Sequence, residues 1–224
     1  MTRTREEIKR DVVAQLYWDD RVDAADVSVE VEDGRVVLHG SVPTLIARHF
    51  AAADALAVAG VSALDNQLQV RYPTSVTAPG DEQIRSNVEN VLAWNSHLDA
   101  ERVRVQVHNG IVTLEGAVDA LWKKPHAEEV VLQLTGVTAI TNNLTVVPTK
   151  DTSDEIIAES LTNALKRNPM INADAIQLAV ANAVVRLTGA VPNWAARQAV
   201  HDAALHTFGA IGVVDDQLIV ANQD

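Results

Sequence analysis

Cysteine is absent from the 224 residues of the chain. This excludes a disulfide scaffold, a metal site with thiolate ligands and a catalytic thiol. Long apolar runs are also missing, since no stretch approaches the roughly 18 apolar residues of a membrane-spanning helix. Charged residues continue as far as Asp11, so the N-terminal segment lacks the apolar core of a secretory signal. We therefore expect a cytoplasmic protein, with peripheral association to a membrane left open.

Basic residues are scarce: 18 Lys and Arg face 30 Asp and Glu, which gives a formal net charge of −12. Because nucleic-acid binding relies on clustered Lys and Arg, we expect no nucleic-acid partner. The same balance disfavours general adhesion to anionic membranes, although a local basic patch can still act there. Hydrophobic residues make up 47% of the chain, enough for one core or several small ones.

One sequence motif occurs three times, as VVLHGSVP (36–43), VTLEGAVD (112–119) and VRLTGAVP (185–192). The flanking text aligns as well, which predicts three copies of a unit of about 70 residues. We place the domains at 1–72, 78–148 and 152–222. The joints, 72–81 and 147–154, are rich in Pro, Thr, Ser and Gly, as short linkers are.

Each copy predicts the same order of elements. A first helix carries an apolar stripe with i, i+4, i+8 spacing. A hairpin follows, with Asp-Gly or Asn-Gly at its turn in the first two copies. Ala183 replaces that glycine in the third copy, so we expect a different turn there. The residues of the helical stripes are Ile8, Val12, Leu16, Ile84, Val88, Leu92, Ile157, Leu161 and Leu165.

The second strand alternates fixed apolar positions with variable ones, as expected of a strand with one face in a core. Gly40, Gly116 and Gly189 interrupt it, and we expect them to allow close approach to another element. A second helix and a third strand complete each copy; Pro125 implies that the helix of copy two starts late or kinks. The predicted fold class is α+β: three tandem α-β-β-α-β domains, each a three-stranded sheet packed on two helices.

The pattern resembles the BON domain, a family named for bacterial OsmY and nodulation proteins. The first copy carries the resemblance in VSVEVEDGRVVLHGSV and GVSALDNQLQV, and the second in VRVQVHNGIVTLEGAV and GVTAITNNLTV. The third, IQLAVANAVVRLTGAV with IGVVDDQLIV, lacks the first glycine and has Asp216 where Asn66 and Asn142 stand. The resemblance implies an OsmY-like binding protein linked to the envelope or to osmotic stress, without enzymatic activity.

Residues suited to catalysis do not recur among the copies. His39, for example, aligns with Glu115 and Thr188. The sequence contains no P-loop and no recognisable metal or triad motif. We therefore expect no catalytic residues, no metal site and no cofactor.

The candidate binding site is the start of the second helix, which we call the helix-2 rim. All three copies keep a large apolar residue there, followed three positions later by a cation. An exposed aromatic or apolar residue beside a cation suits a membrane interface; a lid over the core and ordinary surface charges are the alternatives. The rim consists of Leu45, Arg48, Leu121, Trp122, Lys124, Trp194 and Arg197.

Through this rim we expect binding to phospholipid or to a membrane surface. The alternatives are a cytoplasmic protein-interaction or chaperone-like adaptor, and a module that binds an ion or small ligand. We expect Asn66, Asn142 and Asp216 to close local turns, and Trp18 and Trp94 to lie at the edge of the cores. The packing of the domains and the oligomeric state are left open by the sequence.

Overall fold

The computed structural model describes residues 3–72 and 78–221, so the middle of the first predicted joint lies outside the described residues. Domain 1 contains α1 (Arg5–Trp18), β1 (Val27–Glu32), β2 (Arg35–Val42), α2 (Leu45–Ala57), β3 (Ala63–Asn66) and β4 (Gln69–Val70). Domain 2 contains α3 (Asp81–Trp94), β5 (Val103–His108), β6 (Ile111–Val118), α4 (Lys123–Val131) and β7 (Ala139–Val146). Domain 3 contains α5 (Asp154–Arg167), β8 (Ile176–Ala181), β9 (Val184–Val191), α6 (Trp194–Leu205) and β10 (Gly212–Val220).

The second strand is central in each sheet. It pairs antiparallel with the first strand of the domain, through the hairpin, and parallel with the last strand. In domain 1 the last strand is divided into β3 and β4, which both pair with β2. The second helix makes the crossover that a parallel pair requires. The predicted α+β class and element order are confirmed.

Each domain has a hydrophobic core between its helices and its sheet. All nine residues of the predicted helical stripes are buried, which confirms the helix phase that the spacing indicated. The inner face of each central strand supplies the opposite side of the core, as Val36 and Leu38 do in domain 1. Burial of this apolar surface is the main force holding such small domains together.

The glycine in each central strand lies against the main chain that leads into the first strand. Gly116 has a φ of +128°, and a Cβ atom built there would lie 2.0 Å from the carbonyl oxygen of Arg102. The corresponding distances are 1.8 Å at Gly40 and 2.2 Å at Gly189. No side chain fits at such distances, so the predicted close approach is confirmed.

The hairpin turn of domain 3 corrects one expectation. Asn182 and Ala183 have φ values of 52° and 60°, close to those of Asn109 and Gly110 in domain 2. The turn is therefore the same, and the prediction of a different turn was wrong. The Asp154 carboxylate accepts the N–H groups of Asn182 at 2.9 Å and Ala183 at 2.7 Å, as the Asp81 carboxylate does at the turn of domain 2.

Candidate functional site

The start of each second helix is fixed by local chemistry. The Thr44 hydroxyl accepts the N–H of Ala47 at 3.2 Å, and the Asn193 side chain accepts that of Ala196 at 2.8 Å. Such N-caps satisfy main-chain donors that lack a partner within the helix. Helix α4 begins only at Lys123, with Pro125 in its first turn, so the late-start alternative is confirmed.

Domain 1 docks on domain 2 through Leu45 and Tyr72. Leu45, the first residue of α2, packs against the core of domain 2. The Tyr72 hydroxyl accepts the N–H of Gly136 at 2.7 Å and donates to the carbonyl of Val137 at 3.3 Å. These contacts form junction 1–2.

Domain 2 docks on domain 3 through the equivalent position. Leu121 is only 7% exposed and belongs to the core of domain 3. Beside it, the Trp122 ring stacks on His206 with 6.1 Å between ring centres and an interplanar angle of 12°. His206 directly follows α6, so the start of one second helix meets the end of the next. These contacts form junction 2–3.

Domain 3 docks on domain 1 through Trp194, which forms junction 3–1. Its indole N–H donates to the carbonyl of Val61 at 3.0 Å, and Val61 lies in the loop after α2. Val61 is the counterpart of Val137, which receives Tyr72. Equivalent surfaces thus meet three times, and the domains close into a ring, which places the apolar residues of the helix-2 rim between domains.

Two of the three cations of the rim, Arg48 and Arg197, face the last strand of their own domains. The Arg48 guanidinium donates to the carbonyl of Asn66 at 3.1 Å. Arg197 donates to the carbonyl of Leu218 at 3.0 Å and lies 3.4 Å from the Asp215 carboxylate. In domain 2 the contact between helix and sheet is made instead by the main-chain carbonyl of Lys124, which accepts from the Asn142 side chain at 2.7 Å. These contacts tie the second helix to the sheet.

The two asparagines before the last strand close turns as predicted. The side-chain oxygen of Asn66 accepts the N–H of Leu68 at 3.2 Å, and that of Asn142 accepts the N–H of Leu144 at 3.3 Å. Asp216 differs: it is exposed, and the neighbouring Asp215 faces α6, where His201 contacts its carboxylate at 2.9 Å.

The tryptophans that end the first helices are the large exposed residues that sequence reasoning misplaced. Trp18 is 79% and Trp94 85% exposed, so the expectation that they lie at the edge of the cores was wrong. The helical phase could have revealed this, because Trp18 follows the stripe residue Leu16 by two positions. Two positions turn a helix by about 200°, away from the buried face.

From the repeated contacts of the ring we infer that Trp18 and Trp94, at the ends of α1 and α3, lie on one face. Equivalent contacts around a closed ring relate the domains by rotation about a shared axis, so equivalent residues lie at the same level. Arg167 occupies this position in domain 3, next to Lys166, and Met170 follows with 57% exposure. We call this surface the tryptophan face: Tyr17, Trp18, Trp94, Lys166, Arg167 and Met170.

The comparisons assign the repeated unit. The model of the BON domain matches residues 4–72, 80–148 and 153–222, which together make up almost the whole chain. The chain belongs to the BON domain family. Three BON domains in tandem therefore form the ring, and the resemblance of the repeats is confirmed. The domain boundaries placed at 72, 78 and 152 remain predictions.

Among curated proteins, the chain is similar to osmotically-inducible protein Y of Escherichia coli (strain K12). The two are 27% identical over 136 residues, which cover 59% of this chain and 68% of the relative. Among solved structures, the chain is similar to two structures of CdsD, a structural protein of the type III secretion system of Chlamydia trachomatis. The matches cover 95% and 97% of this chain and 96% and 94% of the CdsD chains, with identities of 14% and 15% and TM-scores of 0.26 and 0.27.

Within the described residues of this BON protein, no helix is long and apolar enough to cross a membrane. The first BON domain nevertheless has an unusual buried group next to the tryptophan face. Asp54 on α2 is 8% exposed; one of its oxygens accepts from Gln15 at 3.2 Å, and the other has no partner in the described residues. Burial raises the pKa of Asp54.

Asp19, directly after Trp18, lies close to Asp54 and, after burial, contributes to raising its pKa. Hydrogen bonds from Arg21 lower the pKa of Asp19 to about 2, so it stays ionised beside Asp54. The Arg21 guanidinium also covers the Phe50 ring at 3.9 Å. These contacts join the end of α1 and the loop after it to α2.

Proposed function

We propose that this BON protein binds the surface of phospholipid membranes through its tryptophan face. The single observation that supports the proposal is the exposure of Trp18 and Trp94 at equivalent positions of two adjacent domains. Isolated exposed apolar residues are ordinary, but two tryptophans at equivalent positions of adjacent domains suggest a shared partner. Tryptophan favours the membrane–water interface, because its ring is apolar and its N–H needs a polar neighbour.

The charge on the domain-3 part of this face favours an anionic headgroup. Lys166 and Arg167 are exposed in the last turn of α5, whereas α1 and α3 have no basic residue in their last turns. A local pair of cations attracts phosphate even on a chain of net charge −12, because screening limits the distant acidic residues to about a Debye length.

Lipid contact by the helix-2 rim remains a prediction. In the closed ring Leu45, Leu121 and Trp194 contact neighbouring domains, so the rim reaches lipid only where a junction opens. The tryptophan face requires no such rearrangement, and we therefore assign the first contact to it.

Flotation with vesicles tests the proposal. The chain should float with vesicles of phosphatidylcholine and phosphatidylglycerol at low salt, and less with phosphatidylcholine alone. A Trp18→Ser, Trp94→Ser double variant should lose most of this binding. The matched control is Ile111→Ser with Ile156→Ser, which removes two exposed apolar residues at the starts of β6 and α5, and it should float as the parent does.

Absence of flotation at low salt would overturn membrane binding and would favour the protein-interaction alternative for the same face. A role in osmotic stress is also part of the proposal, since the relative from Escherichia coli is named for osmotic induction. We expect the abundance of the protein to rise when its source cells are moved to high osmolarity; an unchanged amount would contradict that role. The cytoplasmic location remains a prediction.

A further inference from the structure

Junction 3–1 differs from the other two junctions in its covalent support. Domains 1 and 2, like domains 2 and 3, are consecutive in the chain, whereas domain 3 returns to domain 1 without a direct linker. A linker raises the effective concentration of the two surfaces that it joins. Junction 3–1 therefore depends more than the others on its own contacts.

Junction 3–1 also contains open space. A cleft of about 780 Å³ lies between the two domains, lined by Leu56 and Val61 on one side and Trp194 and Val220 on the other. Trp194 is half-buried, as Leu45 is at junction 1–2, whereas Leu121 is buried at junction 2–3. Unfilled space at an interface forfeits dispersion contacts. The cleft and the missing linker together make junction 3–1 the one that we expect to open first.

Domain 3 has no tryptophan at the end of its first helix, but it has Trp194 at the start of α6. Domains 1 and 2 end their first helices with Trp18 and Trp94, and Arg167 takes that place in domain 3. In domain 2 the residue after the first helix, Asn95, contacts His126 in the first turn of α4 at 3.0 Å. We expect the end of α5 to lie near the start of α6 in the same way. The Arg197 guanidinium lies 5.0 Å from the centre of the Trp194 ring, so the pair combines an aromatic ring with a cation.

We propose that junction 3–1 is a latch that opens on the membrane and releases Trp194, with Arg197 held beside it by domain 3, to the lipid surface. The latch rests on the proposed function, because a membrane can open it only by binding the open form more tightly than the closed form. The difference in binding comes from Trp194: in the closed ring it donates to Val61, and in the open ring it can lie among headgroups. The closed ring would thus bind with two tryptophans and the open ring with three.

The absence of native cysteine allows the distance across each junction to be measured with pairs of spin labels. Ala59→Cys with Gln198→Cys spans junction 3–1, and the equivalent pair His49→Cys with Thr135→Cys spans junction 1–2; all four positions are exposed. Vesicles of phosphatidylcholine and phosphatidylglycerol should shift the 59–198 distance to larger values. The 49–135 distance should stay unchanged.

The outcomes separate the latch from the function on which it rests. Flotation of the labelled protein with an unchanged 59–198 distance would overturn the latch and leave membrane binding intact. Lengthening at both junctions would also overturn it, since general separation of the domains is not a latch. Failure to float would overturn the proposed function and the latch together.

Discussion

The indole nitrogen of Trp194 lies 3.0 Å from the carbonyl oxygen of Val61, which hydrogen-bonds the last domain of the chain to the first. The carbonyl of Val137, one domain later, accepts from Tyr72 in the same way. Two different side chains, one from a helix start and one that follows a strand, thus donate to equivalent carbonyl groups in two domains. At both of these junctions the loop after the second helix therefore supplies the carbonyl that accepts the hydrogen bond.

Replacing Tyr72 with Phe should weaken junction 1–2. The hydroxyl makes two hydrogen bonds, with Gly136 and Val137, and its loss leaves both main-chain groups without this partner. We expect a loss of about 1–3 kcal/mol in the free energy of unfolding, measured by denaturant titration. Tyr17→Phe is the control, since Tyr17 is 69% exposed; equal midpoints for the two variants would contradict the role of Tyr72.

The fold was predictable because three aligned copies separate fixed positions from variable ones. The stripe through Ile8, Val12 and Leu16 shows its helical phase only because Ile84 and Ile157 repeat it. The role of the helix-2 rim was not predictable in this way. An apolar residue that all three copies keep favours a buried position. Contact with its own core, with a membrane or with a neighbouring domain would each bury it, and the sequence does not distinguish them.

The tryptophan face shows a different limit of sequence reasoning. The phase of α1 places Trp18 off the buried stripe, so its exposure was available from the spacing. Its location on a common face with Trp94 was not, because that depends on the rotation between domains. The rotation is set by junction contacts such as the Trp122–His206 stack, which no periodicity within one copy encodes.

Replacing Ala183 with Gly should stabilise domain 3. Ala183 has a φ of 60°, and the left-handed region costs a residue with a Cβ atom roughly 1–2 kcal/mol. We expect a gain of about 1 kcal/mol in the free energy of unfolding. The control is Ala181→Gly, the same change in the regular strand β8, which should cost about 0.5–1 kcal/mol. A loss of stability in both variants would show that the turn is not strained.

Replacing Gly116 with Ala should damage domain 2 far more than an ordinary surface change. The new methyl group would lie 2.0 Å from the carbonyl oxygen of Arg102 at a φ of +128°, so the main chain must move. We expect a loss of about 3 kcal/mol or more, at the severe end for single substitutions, seen as a lower unfolding midpoint. Gly80→Ala, where nothing lies within 4 Å of the added atom, should change it little; similar losses would contradict the steric explanation.

Replacing Asp54 with Asn should stabilise domain 1 at neutral pH. Its carboxylate is buried beside the ionised Asp19, with one oxygen lacking a partner in the described residues, and an amide of the same shape has no charge to desolvate. Counterparts Val130 and Ala203 show that the fold does not require an acid there. We expect the thermal midpoint to rise by about 2–4 °C, the effect of a modest stabilisation in a chain of this size.

The pH dependence of that gain identifies its cause. Because burial raises the pKa of Asp54 in the folded state, the folded protein binds a proton at this carboxyl more readily than the unfolded chain does. Its unfavourable contribution is therefore complete at neutral pH and disappears as the pH falls through the raised folded pKa towards the ordinary value of about 4. Hydrogen bonds from Arg21 affect Asp19 in the opposite direction, but this contribution is present in parent and variant alike and cancels in the difference. The two midpoints should thus converge on acidification, while the exposed control Asp20→Asn should show no such convergence; a gain that is independent of pH would mean that the introduced amide stabilises by packing rather than by removing a buried charge.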